Sequence, residues 1–269
     1  MVTALLLTPI GAAATLLALQ LARTRLPHRE NFTGNRIPTA TGLTLLPIIL
    51  MMIMAGAAGW YAVGLADWGY LFYSLLAGVV GYLDDVWGGA RVRGFRGHLG
   101  ALARGRVTTG AVKVFALGGG AMVLGALMFE VSVAAVFAGF LIAGCVNLAN
   151  LLDLRPGRAI KFLALPILAL LFLAPGTAAL TVLPILGGMA ALFYFDLRGR
   201  IMLGDAGAAI LGAVPGYLVA SCGPGIVWWT AALVILGLTV IAEVSSISRL
   251  IQEVEILRRL DLWGRGKRD

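Results

Sequence analysis

With 60% hydrophobic residues among 269 and a mean hydropathy of +0.94, the chain lies far above the roughly 45–50% apolar content of soluble domains. A water-soluble core is thereby excluded, and at about 20 apolar residues per crossing there is room for about nine spanning helices and no separate soluble domain. The net charge of +8 would suit nucleic acid if the cations formed one patch, so their placement along the chain decides the matter.

In chain order, apolar runs predict helices over 2–22, 42–63, 69–83, 112–129, 131–150, 160–174, 177–195, 201–221 and 225–243. The first run lacks a basic start and a small-residue cleavage signal, so it reads as a retained helix. The sixth is short and carries Pro166. The two cysteines, Cys145 and Cys222, fall in or beside apolar runs, as small buried hydrophobes do.

The cations follow alternate helices. Arg23, Arg25, Arg29 and Arg36 follow the first; Arg91, Arg93, Arg96, Arg104, Arg106 and Lys113 the third; Arg155, Arg158 and Lys161 the fifth. Arg198 and Arg200 follow the seventh, and Arg249, Arg258, Arg259, Arg265, Lys267 and Arg268 the ninth. The intervening loops, such as 64–69, 175–177 and 222–224, contain none. By the positive-inside rule the charged loops are cytoplasmic, the N-terminus is outside and the C-terminus inside. The partner of this charge is a membrane surface, and no nucleic acid is expected.

The expected fold is therefore all-α and polytopic, with a transmembrane domain over 1–243 and a cytoplasmic tail over 244–269. In the tail, Val244, Ile247, Leu250, Ile251, Val254, Leu257 and Leu260 recur at helical spacing, as in an interfacial amphipathic helix.

Chemistry-bearing residues gather on the cytoplasmic side of this topology. Asp84 and Asp85 end the third helix; adjacent carboxylates at the edge of hydrocarbon repel each other and lose hydration. They need a metal, a cationic partner or water, with Arg91 and Arg93 as ordinary candidates for the partner. Asn147, Asn150 and Asp153 fall at i, i+3 and i+6 on one helix face, suited to sugar hydroxyls, a uracil ring or a metal's water shell, or to plain interhelical bonding. Asp205 stands between Gly204 and Ala206 just inside the eighth helix, where a metal or an ion pair with Arg198 or Arg200 would offset its charge. Carboxylate oxygens with only His28 and His98 for imidazole suit Mg²⁺ or Mn²⁺ rather than zinc.

Four segments, taken in order, resemble the motifs of one family, the polyprenyl-phosphate sugar-1-phosphate transferases. Asn35 to Gly42 (Asn-Arg-Ile-Pro-Thr-Ala-Thr-Gly) is similar to its Thr-Pro-Thr-Met-Gly-Gly loop, and Gly81 to Asp85 to its Asp-Asp motif. Asn147 to Asp153 (Asn-Leu-Ala-Asn-Leu-Leu-Asp) resembles its Asn-x-x-Asn-x-x-Asp-Gly signature, and Met202 to Gly207 its Phe-Met-Gly-Asp-Thr-Gly. The resemblance implies transfer of a sugar-1-phosphate from a UDP-sugar to undecaprenyl phosphate, with release of UMP, in cell-envelope polysaccharide or peptidoglycan synthesis at the cell membrane. It implies Asp205 as the Mg²⁺ ligand and Asp84 or Asp85 as the group that positions or deprotonates the lipid phosphate. Asp153 and Asn150 would bind nucleotide or line the metal site, with Asn147 and Thr39 as further substrate contacts.

The departures from the pattern are specific. Gly88 stands where the translocase members carry a lysine, Pro156 replaces the second aspartate after Asp153, and no His-rich motif precedes the end. Arg155, Arg158 and the loop from Gly88 to Gly110 are the expected replacements for phosphate binding. A homodimer is left open. Two other classes compete: a non-catalytic relative that binds a polyprenyl or nucleotide ligand as a scaffold, and an ion-coupled transporter. Polar groups concentrated at one membrane face disfavour the transporter.

Overall fold

The computed structural model describes residues 2–31, 33–88 and 108–265. Each of the nine predicted segments coincides with a helix: α1 (Val2–Ala22), α2 (Leu46–Ala57), α3 (Leu65–Trp87), α4 (Thr109–Phe129), α5 (Val133–Leu152), α6 (Arg158–Leu173), α7 (Gly176–Leu197), α8 (Gly204–Ser221) and α9 (Ile226–Val244). Four of them, α4, α5, α7 and α9, are long and apolar enough to cross a membrane by length and composition.

Three elements differ from the sequence expectation. A two-stranded antiparallel hairpin, β1 (His28–Glu30) with β2 (Arg36–Pro38), follows α1, and a 3-10 turn (Thr41–Leu45) leads from it into α2. The third helix starts at Leu65, four residues early, because the Asp67 carboxylate accepts the Gly64 amide at 3.0 Å and caps it. The tail is two short helices, α10 (Ile247–Glu253) and α11 (Glu255–Leu262), broken at an extended Val254. Ile247 and Ile251 turn inward, whereas Val254 and Leu260 of the predicted apolar stripe are exposed.

The centre of the bundle is α8. Residues Ala206 to Ala220 are buried without interruption, so this helix is apolar on every side, as a fully enclosed helix must be. Helices α3, α5, α6 and α7 surround it, while α1 packs along α7 and α4 along both α3 and α5. Small side chains allow the backbones to approach. A Cβ at Gly42 would lie 2.0 Å from the Gly207 backbone, and one at Gly81 would lie 2.5 Å from the Asp205 carbonyl oxygen. At the other end of α8, Tyr217 and Thr181 of α7 both donate to Asp67 of α3 (2.7 and 2.9 Å), which ties three helices through one carboxylate.

These contacts predict a steric hierarchy among glycines. Gly42→Ala and Gly81→Ala should each destabilise by about 1–3 kcal/mol or more, the usual cost of overpacking. Gly118→Ala, whose methyl meets open space on α4, should leave stability unchanged or slightly raised. Thermal unfolding of the detergent-solubilised protein, followed by size-exclusion chromatography, checks the order.

Candidate active site

The site forms where one end of α3, α4, α5 and α8 meet. Helix α8 begins at Gly204, and the residue before it, Leu203, has no side chain able to cap the exposed amides. Asp85 of α3 supplies that cap from another helix: its Oδ1 accepts the Asp205 amide and its Oδ2 the Ala206 amide, both at 3.1 Å. A buried carboxylate (6% exposed) is thus matched to the positive end of the helix dipole. Gly204 makes the approach possible. It adopts φ +70°, and a Cβ there would meet Asp85 Oδ2 at 2.5 Å and the Ala40 amide nitrogen at 2.8 Å.

The hairpin and 3-10 turn press on the same segment. Met202 donates its amide to Pro38 O, Thr41 donates both its amide and its hydroxyl to Met202 O, and Gly42 donates to Leu203 O at 3.0 Å. Arg29 donates to the Asp85 carbonyl from the hairpin. Thr39 is buried at the base of this hairpin, its amide bonded to Pro27 O.

Across the mouth, the Lys113 ammonium of α4 lies 2.7 Å from Asp205 Oδ1, 3.5 Å from Asp84 Oδ2 and 3.5 Å from Asn150 Oδ1. By sequence alone Lys113 groups with the loop cations that follow the third helix. The signal that marks it is a lysine one residue inside the apolar run at 112–129, where an unpaired charge would be expensive. Asp205 therefore pairs with Lys113, not with Arg198 or Arg200; Arg198 stacks over the Tyr194 ring instead.

Asp153 follows α5 as its C-terminal cap. Burial, then the negative charges of Asp196, Asp205 and Asp85, push its carboxyl well above the usual carboxylate range, with Lys113 opposing. Asn147 lies one turn back along α5 and is exposed, so of the three residues on that face Asn150 meets the cluster directly. Arg155 lies half-buried in the turn after Asp153.

Arg158 lies apart from the carboxylate cluster, at the start of α6. Its guanidinium is 1% exposed and is taken up by Asp261 and Ser248 of the tail. The basic loop expected to hold phosphates lies almost wholly outside the described residues.

Among the described residues no three His, Cys, Asp or Glu side chains converge around a single cation position. Asp84 and Asp205 nonetheless share one ammonium ion from opposite helices, and this all-oxygen pair fits Mg²⁺, which takes one or two carboxylates and completes its shell with water and substrate phosphate.

A helical membrane protein with paired carboxylates held at a buried helix N-terminus is the class that fold and site define. Within that class the chain matches the model of Glycosyl transferase family 4 over residues 67–223, and it belongs to that family. The matched region runs from α3 to the end of α8 and contains every carboxylate of the cluster, Lys113 and Asn150. No curated protein matches the chain significantly.

The two neighbouring aspartates predict opposite behaviour. Asp85→Ala removes the cap of α8 and should lower stability by about 1–2 kcal/mol. Asp84→Ala leaves the cap intact and Lys113 still paired with Asp205, and should cost little. Thermal unfolding of the two variants side by side decides it, and the reverse order would contradict the capping role.

Proposed function

We propose that the protein transfers a sugar-1-phosphate from a UDP-sugar to a polyprenyl phosphate, of the undecaprenyl type, at the cytoplasmic face of the cell membrane. The observation that carries this reading is Lys113 held between Asp84 and Asp205 at the N-terminus of α8, beside a capping Asp85. A fixed cation beside carboxylate oxygens that can hold a divalent metal suits a diphosphate. Family membership supports a glycosyl transferase in general, and the topology expected from the sequence, with its charged loops inside, would let the nucleotide arrive from the cytosol.

In this reading the lipid phosphate oxygen attacks the sugar-linked phosphorus, the diphosphate bridge breaks, and UMP leaves. Bound Mg²⁺, held by Asp205 and Asp84, would neutralise the diphosphate charge and polarise the bond that breaks. Lys113 steadies the same oxygens. Asp85 has both carboxylate oxygens committed to α8, so positioning of the lipid phosphate falls to Asp84 through the metal it would share with Asp205. Asn150 keeps one amide hydrogen bond to Val146 O at 3.0 Å and turns its oxygen toward Lys113, a fixed orientation for reading nucleotide or sugar.

The experiment is transfer of radiolabel from a panel of UDP-sugars to undecaprenyl phosphate, with Mg²⁺ and with chelator. Transfer should require the metal, name the sugar, and fall by roughly 10²–10⁴-fold in Asp205→Asn and Asp84→Asn. Full complementation of a deletion strain by both variants would favour the scaffold reading and end the transferase reading.

A further inference from the structure

The turn that carries Asp153 is held from three directions. From α7, the buried Asp196 carboxylate accepts the Gly157 amide at 2.8 Å. Gly157 adopts φ +68°, and a Cβ there would strike Leu197, so the chain turns here in one way only. The other two restraints come from the C-terminal tail. Asp261 of α11 receives Arg158 Nε at 2.8 Å on Oδ1 and Arg158 Nη2 at 2.9 Å on Oδ2, the bidentate fork geometry of the strongest ion pairs. Arg265 donates to Asp261 Oδ1 at 2.6 Å and to the Pro156 carbonyl at 3.2 Å, which pins the turn itself. Ser248 takes the remaining Arg158 nitrogen at 2.7 Å, and Lys161 donates to the carbonyls of Asp261 and Trp263.

Burial opposes ionisation of Asp261, but the Arg158 hydrogen bonds and the charges of Arg158, Arg265 and Lys161 win and hold its carboxyl below the usual range. Such a network commits all its members. Removing one partner strands a buried charge, whereas removing both together does far less harm.

We propose that Asp261 and Arg158 are positioning residues for the candidate site: their ion pair, with Arg265 on Pro156, clamps the 153–157 turn that carries Asp153. The tail is then a working part of the site, although it lies some hundred residues downstream of the turn and beyond the region matched by the family. The inference rests on the transferase reading for its kinetic arm alone.

Two measurements on the full-length protein in lipid nanodiscs test it. A nitroxide label on a cysteine at the exposed Leu154, with Cys222 replaced by Ser, reports motion of the turn directly. Asp261→Asn and Arg158→Gln should each mobilise the label, Asp261→Glu should restore the ordered spectrum, and unchanged spectra in the first two would overturn the clamp whether or not the protein is a transferase. In the transfer assay, the same two variants should lower kcat by about ten- to a hundredfold, as small misplacements of reacting groups do, with KM for the UDP-sugar unchanged. The double variant Arg158→Met/Asp261→Leu should be no worse than either single one. A raised KM in Arg158→Gln beside a silent Asp261→Asn would make Arg158 a substrate ligand and refute the clamp. A wild-type protein that transfers from no UDP-sugar would count against the transferase reading, with the label left to judge the clamp.

Discussion

Everything at the site depends on how closely the start of α8 is approached by its neighbours. A helix N-terminus inside a membrane protein presents amides that neither lipid nor an absent side-chain cap can satisfy. Asp85 satisfies two of them from α3, and it reaches them because Gly81, Gly42 and Gly204 remove the side chains that would otherwise hold the three backbones apart. The same approach fixes Asp205, whose amide is one of the two bonded by Asp85 and whose carboxylate then points to Lys113. Backbone packing and charge placement are here one constraint, since loosening the first would release the second.

The second theme is compensation of charge in a poorly solvated place. Asp84, Asp85 and Asp205 lie in apolar helices, and there are two remedies for the three: a shared lysine for Asp84 and Asp205, a helix dipole for Asp85. Helix α3 carries a fourth carboxylate, Asp67, near its other end, where hydroxyls of Thr181 and Tyr217 stand in for a cation. The Asp67 arrangement is closed and its partners are neutral, as befits a structural tie. The Lys113 arrangement is open, since Asp205 keeps 36% side-chain exposure, and an ammonium ion there can be joined or displaced by a metal with its phosphate.

Much of this was legible in the sequence. Hydropathy located every long helix because a spanning segment has one overriding requirement, apolar length. The carboxylates were legible for the converse reason, being costly exceptions within apolar runs. What escaped was set by contacts distant in sequence. Lys113 looked like one more cation of a basic loop because its partners lie 29 residues before it and 37 and 92 after it. The ion-pair partner of Arg158 was hidden too, because Asp261, 103 residues away, carries no local mark of burial. The hairpin at 28–38 was hidden in a stretch without alternating apolar residues, since its strands are fixed by backbone pairing and not by a buried face. Asp67 appeared to be a loop residue because a glycine precedes the helix it caps.

Gly88 and Pro156, the two positions where the chain departs from the motifs it resembles, have defined places in this geometry. Gly88 ends α3 one turn past Asp84, where Lys113 reaches the Asp84 carboxylate from α4, and Pro156 gives its carbonyl to Arg265 in the turn after Asp153. The most direct measurement of the account is an experimental structure with Mn²⁺ and a UDP-sugar, using anomalous scattering to place the metal. The account predicts Mn²⁺ between Asp84 and Asp205, with the diphosphate beside Lys113 and Asp85 still bonded to the Asp205 and Ala206 amides. Manganese bound elsewhere, or an Asp85 carboxylate withdrawn from α8 to ligate it, would contradict it.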